Sequence, residues 1–91
     1  MKLPFTYREA LEVLSDRARE KVFAFQAISQ ACEKIRAHFK LEPHEQAALD
    51  NATRELRIAL GYEVDRLSAD PKNPPAPILS HAFALVFFRR D

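Results

Sequence analysis

The run from Ile78 to Phe88, ILSHAFALVFF, is apolar on nearly every side and is interrupted only by Ser80 and His81. Such a segment cannot rest with one face in water, so the rest of the chain or a partner must cover it. A membrane span takes ~20 consecutive apolar residues, and this run is too short for one before it ends in Arg89-Arg90-Asp91. With 91 residues the chain makes one domain, spanning 1–91, and its core is thin.

Composition narrows the function classes. The 14 basic and 13 acidic residues nearly cancel, so no net field draws the chain to nucleic acid or to an anionic membrane. A hydrophobic content of 47% suits a globular protein and is too high for a disordered one. The one cysteine, Cys32, forms no internal disulfide and no CxxC motif, and with Ala31 and Ile35 nearby it reads as a small core filler. Arg8, Glu9 and Glu12 break any apolar stretch near the start, so no secretory signal is expected. The chain is expected to be soluble and cytoplasmic, with no membrane contact.

Glycine is nearly absent, Gly61 being the only one, and this disfavours the tight turns of an all-β fold. Apolar residues recur with helical period instead. Thr6-Tyr7-Arg8-Glu9 fits a capping box, in which Thr6 and Glu9 satisfy each other's backbone amides. From there Tyr7, Leu11, Leu14, Ala18, Val22, Phe25, Ile28, Cys32, Ile35 and Phe39 form one stripe. Ser15-Asp16 offers a second N-cap where the helix can kink or restart, but the stripe passes it without changing phase, which favours continuity. Pro43 suits the first position of a second helix. Its stripe reads Leu49, Ala52, Leu56, Ala59, Leu60, Val64 and Leu67, and Pro71 stops it. The short connection predicts an antiparallel hairpin of helices at about 6–39 and 43–69.

At ~1.5 Å per residue, the first helix would be about 50 Å long and the second about 39 Å. The first therefore overhangs unless it breaks near Ser15. Residues 71–77 hold most of the prolines and read as a stiff, extended linker. Residues 78–90 are then expected to return as a third helix capped by Ser80, with Leu79, Phe83, Val86 and Phe87 on its stronger face and Arg89-Arg90 at its C-terminal end. The fold class is all-α: a long antiparallel hairpin plus a short C-terminal helix, making a three- or four-helix bundle.

Little in the sequence points to catalysis. His38, Glu42, His44 and Glu45 cluster near the inter-helix turn but match no standard metal-ligand spacing. No serine sits in a nucleophile elbow, and no glycine-rich loop cradles phosphate. The expectation is a non-enzymatic protein with no catalytic residues, no metal and no cofactor. Nucleic-acid binding is the alternative: Ala59–Val64 resembles the corner of a helix-turn-helix with Gly61 at its turn. The helix that would follow holds Glu63, Asp65 and Arg66, poor chemistry for reading bases.

The seven phenylalanines favour protein recognition. Phe23 and Phe25 stand about 200° apart on a helix, so only one of them can enter the hairpin core. Phe87 and Phe88 pose the same problem. The expected interaction residues are Phe23, Phe25, Phe83, Leu85, Phe87 and Phe88, and the expected partner is a second copy of this chain or another protein.

Overall fold

The computed structural model describes residues 6–88, and four helices make up the fold: α1 (Tyr7–Val13), α2 (Asp16–Arg36), α3 (Pro43–Ser68) and α4 (Ala76–Phe87). No strand occurs among the described residues, and the all-α class holds. Residues 1–5 and 89–91, including the arginine pair expected at the end of the last helix, lie outside the described residues.

The Thr6–Glu9 capping box forms: the Glu9 amide donates to Thr6 Oγ1 at 3.2 Å, and the Thr6 amide donates to Glu9 Oε1 at 3.0 Å. The continuous first helix does not form. Leu14 and Ser15 are both extended (ψ 150 and 162), and Ser15 Oγ accepts from the Ala18 amide to start α2. The break folds α1 back on α2. Tyr7 Oη donates to Gln26 Oε1 at 2.9 Å across 19 residues, which would lie about 28 Å apart in one straight helix. The predicted overhang is thereby removed.

The broken backbone is satisfied from α3. The Ser15 amide donates to the Glu63 carboxylate, and Arg66 Nη2 donates to the Val13 carbonyl at 2.7 Å. Arg66 Nε also donates to Glu63 Oε2 at 3.0 Å, so the two side chains form one brace. A helix end and a helix start, each with orphan backbone groups, are thus closed by two residues one turn apart.

α2 and α3 run antiparallel. Arg36 with Gln46 at one end and Lys21 with Glu55 farther along mark the rungs, at 3.2 and 3.0 Å. α2 ends at Arg36, not Phe39, and Phe39 lies in the following turn, 75% exposed. Pro43 opens α3, and Glu45 reaches back to accept from the Glu42 amide at 2.9 Å. The 71–77 segment is not an extended linker. Asp70 accepts from the Asn73 amide through its carbonyl and from the Lys72 amide through its side chain, closing a turn with Pro71 at its second position. Asn73 Nδ2 donates to the Leu67 carbonyl and covers the end of α3.

The last helix therefore starts earlier than expected, at Ala76 after Pro75, with Pro77 in its first turn, and Ser80 is not its cap. Leu79, Ala82, Phe83 and Phe87 are buried against α1 and α3. Leu79, Phe83 and Phe87 join Leu14, Val22, Phe25, Leu56, Leu60 and Val64 in one core. Ring contacts tie α4 to its neighbours: Phe87 meets Tyr7 of α1 edge-on at 5.9 Å, and Phe88 meets Phe25 of α2 at 5.2 Å. Ser80, His81 and Ala84 form the outward side, as their weaker hydrophobicity predicts.

Glu63 is 6% exposed. Burial alone would raise its pKa, but hydrogen bonds from Arg66 and Ser15, with the Arg66 charge, outweigh that effect and hold it below the ordinary glutamate value. The brace therefore contributes fully above the unfolded-state pKa and is lost as pH falls through the lower folded-state value. Glu63→Gln is expected to lose about 1.5–3 kcal/mol near neutrality, with the gap to the parent shrinking in acid. Urea unfolding at neutral and acidic pH checks this; a gap that does not change with pH would assign the loss to packing instead of charge.

Candidate functional site

α3 turns Leu49, Leu56, Leu60, Val64 and Leu67 to the core. Its opposite side is mostly polar, with one exception. Ile58 and Tyr62, one turn apart, are 55% and 73% exposed. They form a ridge on the outer surface with a groove on either side, and each residue lines both grooves.

The larger groove, about 610 Å³, runs between α3 and α4. Leu60, Val64 and Phe83 form its floor. Its walls are low because the residues on them are small: Gly61 on α3, and Ala76, Ser80 and Ala84 on α4. The Arg57 guanidinium closes one end over the Phe88 ring, 4.5 Å from the ring centroid, and Asp65 lies toward the other. The smaller groove, about 400 Å³, lies between α2 and α3 and is crossed by the Lys21–Glu55 ion pair at 3.0 Å. Neither Arg57 nor Asp65 has an ion-pair partner among the described residues. Both stand at the rim of the apolar face.

Gly61 has no function within the chain that the structure reveals. Its φ is not positive, so the backbone does not require glycine. An added Cβ would meet nothing within 4 Å, so no neighbouring helix approaches closely there. α3 runs through Gly61 without a turn, and the helix-turn-helix corner expected at Ala59–Val64 does not form. Helical period carries the chain past one glycine at a cost of about 1 kcal/mol, and Glu63, instead of facing a nucleic-acid groove, is buried against Ser15.

The phenylalanines divide as their angular spacing requires. Phe25, Phe83 and Phe87 are buried in the core, and of the three only Phe83 meets the larger groove, at its floor. Phe23 is left outside, 52% exposed, on the far side of α2. Leu85 and Phe88 are half-buried, and only Phe88 reaches the larger groove. The structure therefore does not gather the expected interaction residues into one surface. The ridge of Ile58 and Tyr62 was missed in the sequence because both residues fall outside the stripe. The signal was present all the same: two large apolar residues one turn apart on a charged helix face, beside the chain's only glycine.

Of the residues with metal-ligand chemistry, Glu42, His44 and Glu45 come together, with ligand atoms within 4.8 Å of one another, and His38 stays apart. Glu45 accepts from the Glu42 amide and Glu42 lies 3.4 Å from His44 Nδ1, which is the hydrogen bonding of a helix start. Among the described residues no helix is long and apolar enough to cross a membrane. No family model matches this chain, nor does any curated protein or solved structure.

Gly61→Ala is expected to raise the stability of the isolated chain by about 0.5–1 kcal/mol, since the site is helical and open. Thermal or urea unfolding in dilute solution checks it. A loss of stability would mean that the α3–α4 groove is tighter than its geometry indicates.

Proposed function

We propose that this chain is a non-enzymatic helical module that binds protein, and that it self-associates through an apolar helix face. The observation that carries the reading is the exposed Ile58–Tyr62 ridge with an apolar groove beside it. Single exposed apolar residues are ordinary on a protein surface, but a paired ridge flanked by concave apolar surface is the arrangement of a contact site. Tyrosine and arginine are also enriched at interface hot spots, and Tyr62 and Arg57 both line the groove. The lone buried thiol of Cys32 fits a reducing, cytoplasmic setting.

Sedimentation equilibrium across micromolar to near-millimolar concentration tests the reading. The parent chain is expected to populate a dimer. Tyr62→Ser, at a site already 73% exposed, is expected to shift the chain to monomer with its helical circular dichroism unchanged. A parent chain that stays monomeric throughout would refute self-association.

A further inference from the structure

We infer that the occupant of the α3 face is α3 of a second copy, laid antiparallel across Gly61 and held in that direction by charge. This rests on the self-association proposed above and specifies its geometry. Arg54 and Arg57 precede Gly61 on the exposed side of α3, and Asp65 follows it. On an antiparallel two-fold axis near Gly61, residue 57 of each copy faces residue 65 of the other, so the basic end meets the acidic end twice. A parallel pairing would set arginine against arginine and aspartate against aspartate, so charge selects the antiparallel direction. Arg57 and Asp65 have no ion-pair partner among the described residues, so the new contacts break no ion pair seen there.

Gly61 also acquires a function in this arrangement. Helix backbones approach most closely where the crossing residue lacks a side chain, and Gly61 stands at the crossing with open space before it. The neighbouring α4 wall is low, with Ser80 and Ala84 exposed, so it leaves room for a second helix. Ile58 and Tyr62 of each copy then have the apolar groove of the other to enter.

Charge reversal tests the geometry at exposed positions, where Arg57 gives up its stacking over the Phe88 ring. Arg54→Glu/Arg57→Glu gives a chain acidic at both ends of the face, and Asp65→Arg gives one basic at both ends. Each variant alone is expected to self-associate at least about tenfold more weakly than the parent. Mixed in equal amounts, the two are expected to form a one-to-one heterodimer, because every facing pair is again of opposite sign. Gly61→Gln, a good helix former at an open site, is expected to stay folded and lose the dimer. Sedimentation of each variant and of the mixture, with circular dichroism as the folding control, reads all four. If the parent dimerises but the charge variants dimerise equally well and gain nothing on mixing, the antiparallel α3 contact is overturned while self-association stands. If the parent does not dimerise, the underlying reading falls as well.

Discussion

The brace from α3 to the α1–α2 break is the interaction on which the rest of the structure depends. Glu63 accepts the Ser15 amide and Arg66 donates to the Val13 carbonyl, so two backbone groups orphaned by the break are satisfied at once. Without them the break would leave the part-buried Ser15 amide unpaired, at about 1–3 kcal/mol, and the exposed Val13 carbonyl to water. With them α1 folds back along α2, and Tyr7 reaches both Gln26 and the Phe87 ring. That contact closes the core over α4. Burial of one carboxylate is thus tied to the direction in which the first helix runs.

Closing the core inside one chain decides where the unmet apolar surface lies. The Ile78–Phe88 run demands cover, and α1 and α3 supply it: Leu79, Ala82 and Phe83 are at most 1% exposed. The chain itself thus covers the core side of the run, while Ile78 stays 42% exposed. The demand moves to α3, whose outer face holds Ile58 and Tyr62 in the open. On that face three features occur together: an exposed ridge, a helical glycine with nothing near it, and charged residues without ion-pair partners among the described residues. Each alone is common. Together they carry the proposal of a second helix on this face.

The helices were legible in the sequence where local signals act alone. The capping box at Thr6, the proline at the start of α3 and the apolar stripes place α1 and α3 and the core face of α4. What could not be read was tertiary. The stripe crosses Ser15 in phase, so periodicity favours a straight helix; the break is stabilised by Glu63, which is distant in sequence. Glu63 had a local signal in hindsight, since it falls between Leu60 and Leu67 at the spacing of a core position. The prolines at 71–77 suggest an extended strap, but Asp70 and Asn73 close a turn around Pro71, and the last helix starts earlier for that reason. At the candidate site, angular spacing separates Phe23 from Phe25, yet it does not say which one the core takes.

The central claim is that the Ile58–Tyr62 face of α3 is covered by a second copy. Amide resonances recorded over a dilution series test it most directly. The account predicts that shifts of Arg57, Ile58, Gly61, Tyr62 and Asp65, with Ser80 and Ala84 across the groove, move together with concentration along one binding curve. Shifts that stay fixed at every concentration, or that move only around Phe23 on α2, would contradict it.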